Sequence, residues 1–116
     1  MSESISRDLI RGNIDTIILR VLSGGDNYGY EIMKAIYKDS GGEYELKETS
    51  LYSSLKRLEA QNLIVSYWGD ESQGGRRKYY SVTSEGKRAF QYNLEAWRRA
   101  KILIDRLIEV RGTENE

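Results

Sequence analysis

The chain has 116 residues, which is enough for one domain with one modest hydrophobic core. It contains no cysteine and no histidine, which excludes disulfides, thiol chemistry, the commonest general base and the commonest metal ligand. The 18 basic and 18 acidic residues cancel, so a nucleic-acid-binding surface requires the cations to be sorted onto one face. We expect a cytoplasmic protein, because a chain without cysteine is typical of an intracellular location. No apolar run is long enough to cross a bilayer and no signal peptide is evident.

The N-terminal part is predicted to form two helices. Leu9–Leu22 has apolar residues three and four positions apart, which is typical of one buried helix face, and Ser23-Gly24-Gly25 ends this pattern. Asp26 or Asn27 can cap the second helix, which stops at residues 39–42.

A third helix follows after a short connection. Glu43–Leu46 is expected to be extended and to form a single β-bridge, and Lys47 or Thr49 opens the helix. Asn62 suits a left-handed position after its end. Leucines spaced by four and three residues form its core side: Leu51, Leu55 and Leu58.

Two aromatic arms around glycines, at Ser66–Tyr80, predict a β-hairpin. The returning arm opens with consecutive cations, Arg76-Arg77-Lys78, as expected of a surface that faces a polyanion. Because side chains alternate along a strand, Arg77 cannot share a face with the cations on either side, and either Tyr79 or Tyr80 should pack inward. From this segment alone, a solvated surface hairpin is an equally good interpretation.

The last predicted element is a long helix that begins at a Thr83 cap and runs to about Val110. A monomer this small is not expected to cover both of its apolar stripes, which predicts a partner helix and a homodimer. Trp97 is interpreted either as a core residue or as a contact for a flat apolar ligand. One stripe is Phe90, Leu94, Trp97, Ile104 and Ile108, and the other is Ala96, Ala100, Leu103, Leu107 and Val110.

This order of elements predicts a mainly α fold with a small β-hairpin, namely a winged helix-turn-helix followed by a C-terminal dimerisation helix. The DNA-binding domain is assigned to residues 1–82, and the dimerisation helix with a frayed tail to residues 83–116.

The third helix is the candidate DNA-reading element. Small hydroxyl residues would let its backbone approach the groove, and cations would hold phosphates or guanine edges. The alternative is an ordinary solvated helix face. The candidate contacts are Lys47, Thr49, Ser50, Tyr52, Ser53, Lys56 and Arg57 on the helix, with Gly74, Gly75, Arg76, Arg77 and Lys78 on the hairpin.

Enzymatic activity is not expected. Without His or Cys, catalysis would need clustered carboxylates or a lysine base, and the acids are scattered over predicted helix surfaces. No glycine-rich phosphate loop links a strand to a helix, and no cofactor is expected. No metal is expected either, because the commonest metal ligand, histidine, is missing. A dimeric protein-interaction module with an incidental basic hairpin is the alternative from another class.

Three motifs resemble the PadR family of transcriptional regulators. They are Tyr28-Gly29-Tyr30-Glu31-Ile32, Leu51-Tyr52 with Leu55-Lys56-Arg57-Leu58-Glu59, and Gly75-Arg76-Arg77-Lys78-Tyr79-Tyr80 with Thr83 and Gly86. The single helix after the hairpin is similar to the short subgroup, and the hairpin is similar to that of multidrug resistance regulators of lactococcal type. The resemblance implies a homodimeric repressor of double-stranded operator DNA and adds Tyr28 to the DNA contacts.

The same resemblance implies a pore between the protomers that holds a flat aromatic small molecule. Lys101 and Leu94 depart from the drug-binding pattern, in which an acid and an aromatic residue are expected. These departures argue against a cationic drug and predict either a narrower pore or one suited to a different or anionic ligand. Asp15 is expected to pair with Lys101. The implied lining is Leu9, Gly12, Asp15, Thr16 and Leu19 from the first helix, and Asn93, Leu94, Trp97 and Lys101 from the last.

The predicted function is therefore repression of a transporter or stress-response gene. A PadR-like regulator of a metabolic operon that does not bind drugs is the alternative.

Overall fold

The computed structural model describes residues 7–69 and 75–109. The fold class is as predicted: mainly helical, with a winged helix-turn-helix and a long C-terminal helix. Within the described ranges, no helix is long and apolar enough to cross a membrane, and no acidic cluster could hold a metal ion. The elements are α1 (Arg7–Arg11), α2 (Ile14–Ser23), β1 (Asn27–Tyr28), α3 (Gly29–Asp39), α4 (Glu48–Ala60), β2 (Ile64–Trp68), β3 (Lys78–Val82) and α5 (Ser84–Ile108).

The predicted first helix is interrupted, which corrects the expectation of one helix over Leu9–Leu22. The amide of Asn13 donates to the carbonyl of Ile10 at 2.7 Å, closing a tight turn, and α2 then starts with the amide of Ile17 donating to Asn13 at 2.9 Å. The residues of α1 are exposed or half-buried, whereas α2 buries three apolar side chains in the core. The break therefore separates a surface helix from a core helix.

A third strand pairs with the hairpin. The sequence predicted additional β pairing at a different segment, which was wrong. Glu43–Leu46 lies in a described loop that forms no β-bridge, whereas Asn27 and Tyr28 form β1 and pair with β3 in the sheet order β1-β3-β2. Tyr28 itself is the N-cap residue of α3, so the predicted cap at Asp26 or Asn27 is also wrong.

The hairpin itself is confirmed, with antiparallel pairing from Ile64–Val82 to Trp68–Lys78. Tyr80 points into the core and is 5% exposed, whereas Tyr79 lies on the outer face and stacks on Tyr67 with ring centroids 5.7 Å apart. The turn residues 70–74, which include the predicted contact Gly74 and two acids, lie outside the described residues.

The core lies between α2, α3, α4 and the inner face of the sheet. The three leucines of α4 are at most 1% exposed, and Asn62 adopts a left-handed φ of 64° after the helix, as predicted. The Thr83 cap is also confirmed, because its Oγ1 accepts a hydrogen bond from the Gly86 amide at 2.9 Å. The Thr83 amide donates to the Leu63 carbonyl at 3.0 Å and thereby fixes the start of α5 against the hairpin.

The distal half of α5 projects away from this core. Residues 97–109 are all exposed, and five large apolar side chains there are each at least 50% exposed: Ile102, Leu103, Ile104, Leu107 and Ile108. This projecting segment gives the chain its elongated extents of 67 × 37 × 21 Å.

Candidate nucleic-acid interface and adjoining cleft

The outward face of α4 is polar and carries charges of both signs, with Glu48 exposed in the first turn and Lys56 exposed two turns later. Leu51, Ser54, Leu55 and Leu58 face the core. Thr49, Tyr52, Ser53 and Lys56 are exposed on the opposite side, Ser50 is half-buried on one flank, and Lys47 is the exposed N-cap residue. The hydroxyl residues lie in the N-terminal half of the helix, where a groove-entering helix usually contacts base edges.

Each described cation of the wing, the hairpin formed by β2 and β3, lies over an aromatic ring. Lys78 and Arg76 lie over Tyr80 and Trp68, with distances from charge to ring centroid of 6.0 Å and 5.3 Å. Arg77, which directly precedes β3, instead lies over Tyr28, at 4.8 Å. These cation–π contacts hold the charges against the sheet while leaving the side chains exposed.

The wing and the outward face of α4 meet at one hollow. Tyr52 from α4, Tyr28 at the start of α3, and Arg77 and Lys78 from the wing line a space of about 300 Å³. Tyr52 is close to the backbone there, because a methyl group on Gly29 would lie 2.3 Å from its hydroxyl. Four of the predicted DNA contacts are therefore brought together although they come from three different segments.

A hydrogen bond at the edge of the wing restrains β2 relative to the segment that precedes β1. The Tyr67 hydroxyl donates to the Asp26 carboxylate at 2.6 Å, and this bond raises the pKa of Tyr67 above its ordinary value. Asp26 directly precedes β1, so the bond ties β2 to the segment that enters the helix-turn-helix.

Arg57 does not point outward with the other cations of α4, although it was predicted as a DNA contact. Its Nε and Nη2 donate to the two carboxylate oxygens of Asp15 at 2.9 Å and 2.8 Å, and Nη2 also donates to Ser54 at 3.0 Å. The prediction that Asp15 pairs with Lys101 is wrong, since Lys101 lies over the ring of Trp97 at 4.8 Å.

The protonation of Asp15 reflects this bidentate contact. Burial alone would raise the pKa of Asp15, but hydrogen bonds from Arg57 and Ser54 and the positive charge of Arg57 outweigh burial and lower it. The hydrogen bond and the charge of Asp15 in turn raise the pKa of Arg57. The pair is therefore fully charged at neutral pH.

A cleft of about 750 Å³ lies between α5 and the N-terminal helices. Leu94 lines an adjoining apolar hollow of about 410 Å³ together with Phe90 and Ile17. Leu19 was predicted to line this space, but it is 0% exposed in the core, which corrects that assignment. The predicted residues that line the cleft are Leu9, Gly12, Asp15, Thr16, Asn93, Trp97 and Lys101.

Several residues that line the cleft were not predicted from the sequence. Ala100, Ile104 and Asp105 also border the cleft, and their helical spacing from Trp97 and Lys101 could have identified them. Arg11 borders the cleft as well, and no local sequence signal indicates this.

A helix-turn-helix whose second helix exposes hydroxyls and cations beside a basic hairpin defines the class of winged-helix DNA-binding proteins. Residues 18–92 match the model of the transcriptional regulator PadR-like family. The chain therefore belongs to the PadR family, whose members are DNA-binding transcriptional regulators.

Similar proteins match the chain over most of its length. A transcriptional regulator from Clostridium thermocellum is 45% identical, with a TM-score of 0.83 over 90% of this chain and 99% of that one. A PadR family transcription regulator from Clostridium difficile is 42% identical, with a TM-score of 0.70 over 84% of this chain and 99% of that one. A protein of Lysinibacillus sphaericus is 41% identical over 105 residues, which are 90% of this chain and 96% of the relative.

Proposed function

We propose that the protein is a homodimeric repressor that binds an inverted repeat in operator DNA through α4 and the wing. The main support for this proposal is that Tyr52, Arg77 and Lys78 line the same hollow beside the exposed face of α4. A surface of this kind can contact base edges and a neighbouring phosphate backbone at the same time.

The two parts of the surface have different tasks. The exposed Thr49, Tyr52 and Ser53 are assigned to base edges in the major groove, because they are short or planar and lie near the start of the helix. Lys47, Lys56 and the wing cations are assigned to phosphates, which fix register and supply affinity without sequence information.

Dimerisation is proposed from the distal half of α5. Side chains such as Leu107 and Ile108 are 74% exposed, and covering them with a second copy of the helix would remove this apolar area from water. Two α4 helices in such a dimer would meet successive major grooves roughly 34 Å apart.

The cleft beside Trp97 is proposed as the effector site. Trp97 is 43% exposed at its wall, and Lys101 over its ring supplies a positive charge, which suits a flat aromatic molecule that is neutral or anionic. The regulated gene would encode a transporter or a stress-response protein, in line with the resemblance of the wing to multidrug regulators. A metabolic operon without drug binding is the alternative, and the cytoplasmic location stays a prediction.

The experiment is a salt titration of binding to a labelled duplex that contains the DNA upstream of the protein's own gene, followed by fluorescence anisotropy. Arg76→Ala with Lys78→Ala should weaken binding to every duplex and reduce the salt slope by about 0.9 for each lost phosphate contact. The matched control removes two exposed cations of α5, Arg88→Ala with Arg98→Ala, and should leave the slope unchanged.

An unchanged slope in the wing variant would remove the wing from the interface. A wild-type protein that binds no duplex at low salt, but still dimerises, would favour the protein-interaction module.

A further inference from the structure

Arg57 is placed beside the DNA-facing surface but is turned away from it. It follows Ser53 by one helical turn on the exposed side of α4, and its side chain is 51% exposed. Arg57 borders a hollow of about 270 Å³ along the flank of α4, which is also lined by Arg11, Thr49, Ser50 and Ser53. A phosphate in this hollow would meet hydroxyl groups and lie near Arg57.

The Asp15 carboxylate accepts from Nε and Nη2 of Arg57 at 2.9 Å and 2.8 Å, which together form one edge of the guanidinium. This bidentate geometry is the one a phosphate would also use, so a phosphate and Asp15 compete for the same two N–H groups. Ser54 is 2% exposed and accepts a further bond from Arg57, which fixes the guanidinium toward α2.

Asp15 also faces the cleft that contains Trp97. The charged groups around that cleft are Arg11, Asp15, Arg57, Lys101 and Asp105. The Asp15 carboxylate on α2 therefore contacts α4, the helix proposed to read base edges, and also borders the cleft proposed to bind an effector.

We propose that Asp15 is a positioning residue that withholds Arg57 from the DNA backbone, so that a side chain of the effector cleft controls how many phosphate contacts α4 makes. This inference rests on the proposed DNA-binding function and concerns the regulation of the same site. With the ion pair closed, each protomer binds DNA without Arg57. With Asp15 neutralised, Arg57 turns to the hollow along α4 and adds one phosphate contact.

The test measures salt slopes of binding to one non-specific duplex for the full-length protein and its variants. Asp15→Asn keeps the shape of the side chain but removes its charge, and should steepen the slope by about 0.9 per protomer. Arg57→Gln in the wild-type background should leave the slope unchanged, because Arg57 contributes no phosphate contact there. The double variant Asp15→Asn with Arg57→Gln should return to the wild-type slope.

A second variant changes Arg57 instead of Asp15. Arg57→Lys keeps the charge but cannot form the bidentate contact, so its slope should shift in the same direction as that of Asp15→Asn. This variant also decides the question if Asp15→Asn does not fold, as judged by circular dichroism.

Four results would overturn the inference. They are a lower slope in Arg57→Gln alone, an Asp15→Asn slope equal to wild type, a steeper Asp15→Asn slope that persists without Arg57, and an Arg57→Lys slope equal to wild type. A wild-type protein that binds no duplex would refute the proposed function instead, so the two failures are distinguishable.

Discussion

Replacing Gly86 by alanine should uncouple α5 from the DNA-binding domain. An added Cβ would lie 2.1 Å from the Leu63 carbonyl oxygen and 2.6 Å from a methyl group of Val82. The nearest obstacle is backbone, so no side-chain rotation can relieve the contact. The Leu63 carbonyl would have to withdraw by more than 1 Å to reach the ordinary contact distance of about 3.4 Å.

The cost can be estimated from the bonds that this withdrawal strains. The Leu63 carbonyl accepts a hydrogen bond from the Thr83 amide at 3.0 Å, which contributes about 1 kcal/mol. It also shares the single Thr83 hydroxyl proton with the Asn62 carbonyl, at 3.1 Å and 2.8 Å from Oγ1, so this second bond contributes at most about 1 kcal/mol. Overpacking adds about 1–3 kcal/mol. The higher helix propensity of alanine offsets this loss of stability by at most about 1 kcal/mol. The expected net loss is about 1–4 kcal/mol in the free energy of unfolding.

Urea unfolding at fixed protein concentration, followed by tryptophan fluorescence and by circular dichroism, measures this loss. Gly24→Ala is the matched control, because Gly24 has a helical φ of −85° and its added Cβ meets only the Val21 carbonyl at 3.5 Å. The control should stay within about 0.5 kcal/mol of wild type. Equal stability of the two variants would refute the account of Gly86 as the close contact that positions α5.

Three further predictions concern assembly, the cleft and pH. Leu107→Glu, on the exposed end of α5, should convert a dimer into a folded monomer in light scattering; an unchanged mass would place the interface elsewhere. Trp97→Ala should abolish the fluorescence-detected binding of a flat aromatic dye and leave DNA affinity intact, whereas equal dye binding would return Trp97 to a packing role. Folding lowers the pKa of Asp15, so its ion pair stabilises the fold fully above the ordinary value of 3.8 and loses this effect as pH falls through the lower native pKa. The stability curves of wild type and Asp15→Asn should therefore converge at acid pH, and parallel curves would contradict the assignment.

The elements that the sequence predicted correctly depend on local signals. The leucine spacing of α4, the left-handed Asn62 and the Thr83 cap each involve residues within a few positions of one another. The alternation of Tyr79 and Tyr80 is equally local, since it follows from the geometry of one strand.

The incorrect predictions concern contacts between distant segments, or a helix break that the apolar spacing does not reveal. The strand β1 exists because Asn27 and Tyr28 pair with residues more than 50 positions later, and no local pattern encodes that pairing. The bond from Arg57 to Asp15 spans 42 positions and depends on how α4 lies against α2. The apolar spacing continues across Gly12, so periodicity alone could not show the break there.

The small strand β1 has a consequence for how an operator can be selected. Because Tyr28 pairs with β3 and is followed at once by α3, the wing has no independent freedom to slide relative to the helix-turn-helix. The Tyr67–Asp26 bond closes the same connection from β2. The offset between the proposed groove contacts of α4 and the proposed backbone contacts of the wing is thus a fixed length. In the proposed dimer, tolerance for differently spaced operators would therefore come from the interface between protomers.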